Sequence, residues 1–323
     1  MKRAVISGVS GQDGRLLSSL LHSKGYKVFG FYSVGNPIPI GYPFDLHPDI
    51  ELLPADYLNF DDTFNRIRDI APDEFYNLTA VSSVSLSFSN PSLTYLLNST
   101  FPISIFDKIS QFPDLSGLKI YQASSSEMFG NSGMAAKKED EEFMPLSPYA
   151  KSKVEAHQAA VRIRDQKNHF ISCGILFNHE SILRPPHFVS RRITQQVAKI
   201  YLGKQDKLKI GNPDISRDWG YAGDYVEAMW LMLQQDEPSD FVIATGRSHK
   251  ILELIQVALL SVGIKLPVES FLDIDKDMRR EVDILGNIGD ASKAFEKLGW
   301  KPKVGFEEMI KVMVMNDIER EEK

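Results

Sequence analysis

Hydrophobic residues in the first half of the chain form short unbroken runs, separated by stretches with helical spacing. Ala4–Ser7 and Lys27–Phe31 are two such runs, and Leu16–Ser23 between them carries apolar residues at helical intervals. Unbroken runs are typical of strands buried on both faces of a parallel sheet. Their alternation with helices predicts an α/β fold with a doubly wound parallel sheet. Further predicted strands are Phe75–Leu78, Lys119–Ala123 and Ile171–Leu176, and further predicted helices are Asp61–Ile70, Pro102–Gln111 and Ala150–Arg164.

The pattern changes from about Pro185 onward, where glycine and proline interrupt shorter segments. In this part of the chain only Asp224–Gln234 and Lys250–Val262 show the spacing of substantial helices. We therefore predict a large domain at 1–184 and a smaller, mixed α/β region at 185–323, with some elements interleaved. The smaller region is expected to cover the carboxyl ends of the strands.

A glycine-rich turn follows the first predicted strand. Gly8, Gly11 and Gly14 have the spacing GxxGxxG, and a helical pattern comes directly after them. Glycine lets the backbone approach a pyrophosphate closely, and the N–H groups at a helix start attract its negative charge. The position of the turn favours a Rossmann-type dinucleotide site, although a plain tight turn is the alternative.

Composition and charge narrow the classes of function. The chain has 323 residues, of which 43% are hydrophobic and 25% charged, as in ordinary globular proteins. A net charge of −6 gives no basic footprint for nucleic acid. No apolar run reaches the ~20 residues that span a bilayer, and the N-terminus lacks a signal-peptide pattern. The single cysteine, Cys173, excludes a disulfide framework and is expected to be a small buried residue. We expect a cytoplasmic protein without metal, nucleic-acid or membrane partners.

A catalytic constellation follows the predicted strand Lys119–Ala123. Tyr149 and Lys153 are four residues apart and therefore share one face of a helix. An ammonium group beside a phenol lowers the pKa of the phenol, which lets it act as a base near neutral pH. Together with a hydroxyl from the preceding serine run, this pair predicts oxidation and reduction of a bound alcohol.

Glu127 adds a second chemistry to this set. Oxidation of a sugar hydroxyl needs only the serine, tyrosine and lysine, whereas elimination of water also needs a group that removes the proton beside the new ketone. A carboxylate suits that role and can return the proton to the departing hydroxyl. A helix cap or a surface acid is the alternative interpretation of Glu127.

Longer motifs resemble the GDP-mannose 4,6-dehydratases, a family of the extended short-chain dehydrogenase/reductase superfamily. The glycine turn and the YxxxK pair occur throughout that superfamily, whereas NHES, RDWG and AMWLMLQ are far more specific. The similar blocks cover nearly the whole chain: GQDG at 11–14, QASSSEMFG at 122–130, SPYAKSK at 147–153, LFNHES at 176–181, VAKIYLG at 197–203, RDWG at 217–220, DYVEAMWLMLQ at 224–234, DFVIATG at 240–246 and LGWKPKV at 298–304.

The resemblance implies conversion of GDP-mannose to GDP-4-keto-6-deoxymannose with an internally recycled NADP, in a homodimer or homotetramer. Tyr149, helped by Lys153 and Ser125, is expected to deprotonate the 4-hydroxyl, and Glu127 to take the C5 proton. It assigns dinucleotide binding mainly to 1–184 and nucleotide-sugar binding mainly to 185–323. Implied cofactor residues are Gly8, Gly11, Gln12, Asp13, Gly14, Asp56, Tyr57, Leu78, Ala80, Ser82, Tyr149, Lys153, His179 and Arg184, and implied substrate residues are Ser126, Asn178, Val189, Arg192, Arg217 and Arg279.

The sequence departs from the family pattern at the sugar and cofactor positions. The stretch Tyr32–Tyr42 lacks the family's arginine pair, so NAD is the alternative cofactor. Asn77–Ser83 lacks a glutamine and a histidine of the family pattern, and the arginine of Met278–Asp283 is displaced by one position. Ser125 replaces a threonine, which keeps the hydroxyl. Alternative functions are dehydration of a related GDP-sugar such as GDP-heptose, nucleotide-sugar 4-reduction or 4-epimerisation, and non-catalytic nucleotide binding.

Overall fold

The computed structural model describes residues 1–33, 46–133, 135–275, 278, 284 and 286–323. Its strands are β1 Arg3–Ser7, β2 Lys27–Ser33, β3 Glu51–Ala55, β4 Glu74–Asn77, β5 Lys119–Ser125, β6 Ile171–Leu176, β7 Asn178–Glu180, β8 Leu208–Ile210, β9 Ser216–Tyr221, β10 Asp240–Ile243, β11 Ser248–Lys250 and β12 Leu272–Ile274. Its α-helices are α1 Gln12–Ser23, α2 Phe60–Ile70, α3 Val84–Ser89, α4 Pro91–Tyr95, α5 Phe101–Gln111, α6 Pro148–Lys167, α7 Val189–Tyr201, α8 Ala222–Leu233, α9 Ile251–Ser261, α10 Ser292–Leu298 and α11 Phe306–Glu321. No helix within these ranges has the length and apolar character needed to cross a membrane.

Seven strands form the central sheet in the order β10-β6-β5-β4-β1-β2-β3, and all neighbouring pairs are parallel. This confirms the predicted doubly wound α/β fold. The strand order reverses direction between β1 and β4, and ligands of such sheets bind at that point, outside the carboxyl ends of the strands. The C-terminal part of the chain contributes β10 to this sheet. Smaller sheets are formed by β11-β9-β7 and by β12-β8.

Both faces of the central sheet are buried, as the unbroken apolar runs predict. Ala4 and Ile6 of β1 pack on one side with α1 and α8, whereas Val5 packs on the other side among residues of α2, α5 and α6. Successive side chains of a strand point to opposite faces, so a strand covered by helices on both sides must be apolar throughout. Cys173 in β6 is fully buried, which confirms the prediction of a small core residue.

The prediction of only two substantial helices after Pro185 is wrong. Helices α7 and α11 have 13 and 16 residues and pack against each other and α9 around a separate apolar core. The apolar spacing of α7 is present in the sequence at Ile193, Val197 and Ile200, and each of the two helices also carries a charged residue on its buried face. Arg191 of α7 pairs with Asp317 of α11, and both side chains are 1% exposed. Thr194 donates a second hydrogen bond to Asp317 at 2.7 Å.

Candidate active site

One large cavity of about 1200 Å³ opens at the carboxyl ends of the central strands. It collects residues from the ends of β1 to β6 and from the segments that contain β7, α7 and β9. Arg279 lies outside the described residues. All other predicted site residues line this cavity: Gly8, Gly11, Gln12, Asp13, Gly14, Asp56, Tyr57, Leu78, Ala80, Ser82, Ser125, Ser126, Glu127, Tyr149, Lys153, Asn178, His179, Arg184, Val189, Arg192 and Arg217.

The glycine turn brings backbone atoms closer together than side chains would allow. Gly8 has a φ of +74°, and a Cβ atom on Gly14 would lie 2.5 Å from the carbonyl oxygen of Gly8. Gly11 precedes α1 without a side-chain hydrogen bond to cap the helix. The turn therefore presents bare backbone and the positive end of the α1 dipole to the cavity, which fits a pyrophosphate.

Two polar residues of the turn, Gln12 and Asp13, are hydrogen-bonded to the NHES motif. Gln12 Nε2 donates to the carbonyl oxygen of His179 at 3.0 Å, and Ser181 Oγ donates to Gln12 Oε1 at 2.9 Å. His179 Nε2 lies 2.8 Å from Asp13 Oδ2. These side chains line the cavity, but their hydrogen-bonding groups join the glycine turn to β7.

His179 lies between two acceptors, an arrangement that favours its protonated form. Its Nδ1 lies 2.7 Å from the carbonyl oxygen of Phe177, and its Nε2 lies 2.8 Å from Asp13 Oδ2, so a proton on each nitrogen satisfies both contacts. Burial opposes a charge on either residue. Their mutual attraction and hydrogen bond nevertheless raise the pKa of His179 and lower the pKa of Asp13.

The residues after β3 and β4 are also fixed by internal hydrogen bonds. The Tyr57 hydroxyl donates to the carbonyl oxygen of Phe31 and accepts from the N–H of Gly8, both at 2.9 Å. Asn98 accepts from the N–H of Val81 at 2.7 Å and donates to its carbonyl at 3.1 Å. Sequence reasoning missed Asn98, which lies in a π-helical turn at Leu96–Thr100, a rare local structure frequent at functional sites.

The residues predicted to be catalytic meet where β5 ends and α6 begins. Ser125 closes β5, and its Oγ accepts from the N–H of Glu127 at 3.2 Å. Ser147 caps α6 by accepting from the N–H of Ala150 at 3.0 Å, which places Tyr149 in the first helical turn. Lys153 Nζ donates to the carbonyl oxygen of Ala123 at 2.9 Å and lies 5.9 Å from the centre of the Tyr149 ring.

The expected lowering of the Tyr149 pKa is not found in the structure. The pKa of Tyr149 is raised to about 12, mainly by burial; a hydrogen bond with Ser125 opposes this rise, and the negative charge of Glu127 contributes to it. Burial also lowers the pKa of Lys153 to about 8. The protein alone therefore keeps the phenol protonated at neutral pH, and additional positive charge beside the ring is required before it can act as a base.

Glu127 lies two residues after Ser125 in a 3₁₀ turn, Ser126–Phe129, and is half-buried at the cavity wall. Gly130 closes this turn with a φ of +57°, where a Cβ atom would collide with the carbonyl oxygen of Met144. Asn287 Nδ2 donates to the carbonyl oxygen of Ser126 at 3.0 Å and braces the turn from the C-terminal part of the chain. The backbone of this turn therefore fixes the position from which the Glu127 side chain projects.

The arginines of the cavity are held by neighbouring groups. Arg184 Nε lies 3.0 Å from Glu180 Oε2, and its guanidinium stacks 3.6 Å from the centre of the Phe188 ring. Arg217 Nη1 donates to the carbonyl oxygen of Ile284 at 2.6 Å. Sequence reasoning missed the nearly fully buried Glu180, although it is the third residue of the NHES motif.

Comparisons with known proteins agree with the motifs. The family model described as GDP-mannose 4,6 dehydratase matches residues 5–313. GDP-mannose 4,6 dehydratase 1 of Arabidopsis thaliana is 42% identical over 98% of this chain and 90% of its own length. The GDP-mannose 4,6 dehydratase of Homo sapiens is 38% identical over 98% of this chain and 91% of its own length.

Solved structures confirm the fold. UDP-glucose 4-epimerase from Thermotoga maritima superposes with a TM-score of 0.84 at 21% identity, covering 99% of each chain. The dTDP-glucose 4,6-dehydratase from Bacillus anthracis also has a TM-score of 0.84, at 18% identity, covering 100% of this chain and 98% of its own. The family match and the sequence identities are more specific than this shared fold, and they extend over nearly the whole chain. The chain therefore belongs to the GDP-mannose 4,6-dehydratase family.

Proposed function

We propose that this protein is a GDP-mannose 4,6-dehydratase, a lyase that converts GDP-mannose to GDP-4-keto-6-deoxymannose and water. The observation that carries this proposal is the position of Glu127 two residues from Ser125, in the same cavity as Tyr149 and Lys153. The relatives named for this activity share 38–42% of their residues with the chain over almost its full length, which supports the same assignment.

The cavity fits a nicotinamide dinucleotide. Gly8, Gly11 and Gly14 would hold the pyrophosphate against the start of α1, and Leu78, Ala80 and Ser82 would line the path of the dinucleotide. A bound nicotinamide ring would supply a reversible hydride acceptor for the sugar and, in its oxidised form, a positive charge beside Tyr149. The family resemblance implies NADP, and NAD is the alternative.

Tyr149 receives the proton of the sugar 4-hydroxyl in the oxidation step. The positive charge of the oxidised ring would lower the pKa of the phenol from its value in the protein alone, where the Lys153 ammonium already lies 5.9 Å from the centre of the Tyr149 ring. Ser125 shares a hydrogen bond with Tyr149 and offers a second one to the same sugar oxygen. Lys153 and Ser125 thus position the phenol and stabilise its charged form.

Glu127 removes the proton from C5, which the new C4 ketone makes acidic. The carboxyl group then donates that proton to the 6-hydroxyl, and the C6–O bond breaks to release water. Tyr149 then donates to C5 the proton that it took from the 4-hydroxyl, as C6 is reduced. Both side chains thereby regain their starting protonation states. The net change is loss of one water without net oxidation.

The remaining cavity residues would bind the GDP-sugar. Arg192 and Arg217 would form charge-assisted hydrogen bonds with the diphosphate, and Ser126, Asn178 and Val189 would contact the sugar or the nucleoside. The resemblance adds Arg279 to this set.

We also propose dinucleotide binding mainly by 1–184, GDP-sugar binding mainly by 185–323, a homodimer or homotetramer, and a cytoplasmic location. Light scattering of the purified protein measures the number of subunits.

Mass spectrometry of the nucleotide sugar tests the activity. Purified protein is incubated anaerobically with GDP-mannose and with NAD or NADP, and we expect loss of about 18 mass units, one water, without net formation of reduced cofactor. A 4-epimerase would leave the mass unchanged, and a reductase would consume reduced cofactor. Unchanged GDP-mannose with folded, cofactor-loaded protein would reject this substrate and direct the test to GDP-heptose.

A further inference from the structure

The order of strands in the central sheet indicates which end of the cavity would hold the adenosine of a dinucleotide. The glycine turn follows β1, and the ends of β2 and β3 lie on the side of β1 away from the catalytic residues. In dinucleotide-binding folds the adenosine ribose lies over the end of β2, where an acid selects NAD and an arginine accommodates the 2′-phosphate of NADP. We define the adenosine end by the cavity residues of this region: Ser10, Ser33, Ala55, Asp56, Tyr57 and Leu58.

No cation of the described cavity wall belongs to the adenosine end. Among the described residues that line the cavity, lysine and arginine occur at Lys153, Arg184, Arg192 and Arg217. All four come from α6 or from later elements, on the side of the catalytic residues and the proposed GDP-sugar site. The adenosine end contains a single charged residue, Asp56, which is acidic.

Lysine and arginine are also absent from the stretch of sequence that surrounds the adenosine end. The chain has no lysine or arginine between Lys27 and Arg66, whereas the same stretch holds the acids Asp45, Asp49, Glu51, Asp56, Asp61 and Asp62. Lys27 starts β2 at the opposite end of the sheet, where its Nζ lies 3.4 Å from Glu51. Arg66 Nε lies 2.8 Å from Asp62. Arg15 is buried in α1 and is not among the described residues that line the cavity.

A 2′-phosphate and a 2′-hydroxyl make opposite demands on this end of the cavity. A phosphate monoester carries a charge of about −1.5 to −2 at neutral pH and is bound in proteins by charge-assisted hydrogen bonds from cations. A ribose diol needs only ordinary donors and acceptors, which the half-buried Ser33 hydroxyl and the Asp56 carboxylate supply. The negative charge of Asp56 repels a phosphate placed beside it.

We propose that the adenosine end selects NAD(H) over NADP(H), with Ser33 at the end of β2 occupying the position where a cation would be needed to bind the 2′-phosphate. This inference rests on the proposed function for its nicotinamide cofactor and departs from the NADP implied by the family resemblance. The preference comes from the missing cations rather than from a dedicated acid at the end of β2.

Calorimetric titration of the full chain with NADH and with NADPH tests this proposal by binding alone. We expect NADH to bind about tenfold or more tightly than NADPH, and the dinucleotide extracted from freshly purified protein to be NAD or NADH. Equal or tighter binding of NADPH would overturn the NAD preference and leave the dehydratase proposal standing. Binding of neither would overturn the nicotinamide site itself.

Ser33→Arg provides the positive control for the location. An added guanidinium at this position is expected to raise the affinity for NADPH relative to NADH by about tenfold or more. Ser19→Arg adds the same charge on the exposed face of α1, outside the described cavity wall, and should leave the ratio unchanged. An equal shift in both variants would show a general charge effect and would contradict the role of Ser33.

Discussion

His179 and Asp13 form an ion pair that joins two motifs far apart in the chain, with His179 Nε2 2.8 Å from Asp13 Oδ2. Asp13 belongs to the first turn of α1, beside the glycines that would hold the pyrophosphate. His179 follows Asn178, a residue proposed to contact the GDP-sugar. The pair therefore links the proposed cofactor part of the cavity to the proposed substrate part and neutralises an acid beside the proposed pyrophosphate site.

The stability that this ion pair contributes to the fold depends on pH. The raised pKa of His179 stabilises the fold below the unfolded value of ~6.5, and this contribution is lost as pH rises through the folded value. The lowered pKa of Asp13 stabilises the fold above ~3.9 and is lost as pH falls. Asp13→Asn should therefore destabilise most between about pH 4 and 6.5, as measured by denaturant unfolding. A pH-independent difference, or one equal to that of the exposed control Asp140→Asn, would contradict the ion pair.

Gly14→Ala should damage both the fold and dinucleotide binding. The added methyl group would lie 2.5 Å from the carbonyl oxygen of Gly8, and we expect a loss of about 1–3 kcal/mol in the free energy of unfolding. Gly117→Ala is the matched control, because a Cβ atom there meets no atom within 4 Å. Denaturant unfolding and NADH titration of both variants test this prediction. Equal stability and equal NADH affinity of Gly14→Ala and Gly117→Ala would show that the close approach of Gly14 to Gly8 is unimportant.

The glycine turn and the proximity of Tyr149 and Lys153 were predictable from the sequence because local spacing specifies them. GxxGxxG after a strand, and a tyrosine and lysine one helical turn apart, place their residues on one element each. Asn98 was not predictable, because its partner Val81 is 17 residues away and the contact depends on a π-helical turn. The ion pair between Arg191 of α7 and Asp317 of α11 was not predictable either, because its two residues are far apart in the chain.

The pKa of Tyr149 shows a further limit of sequence reasoning. Spacing predicts that Lys153 lies near the phenol, and the structure confirms the proximity. The effect on the pKa depends on burial, which raises the pKa of Tyr149 and lowers that of Lys153. Burial is set by the packing of α6 against β5 and β6 and by the segments that close the cavity, none of which the YxxxK motif encodes.

Lys153→Met should abolish activity without loss of stability. The pKa of Lys153 is about 8 in the fold and 10.5 ordinarily, so the unfolded chain binds more protons between these values. The lysine's contribution to stability therefore rises with pH from about 8 to 10, and burial of its charge destabilises the fold at neutral pH. Unfolding curves of wild type and variant should converge as pH rises through this range. A variant clearly less stable at pH 7 would contradict the cost of burying this charge.

Glu127→Gln should separate oxidation from dehydration. Loss of the C5 base is expected to slow water elimination by about 10²–10⁴-fold, while hydride transfer from C4 persists. Single-turnover spectra should show reduced nicotinamide accumulating in the variant and only transiently in wild type. Glu142→Gln, at an exposed position, is the matched control and should behave as wild type. Unimpaired dehydration by Glu127→Gln would leave Glu127 as a structural acid.

The most direct test of the proposed reaction follows the hydrogen atom on C4 of the sugar, which internal hydride return would transfer to C6. GDP-mannose carrying deuterium at C4 is converted by the purified protein, and the product is analysed by NMR and mass spectrometry. If the cofactor is recycled within one turnover, we expect the deuterium at C6 of GDP-4-keto-6-deoxymannose. In a mixture of labelled and unlabelled GDP-mannose, no deuterium should appear in product formed from the unlabelled substrate. Deuterium that remains at C4, or that is lost to solvent or to free cofactor, would contradict dehydration by internal hydride return.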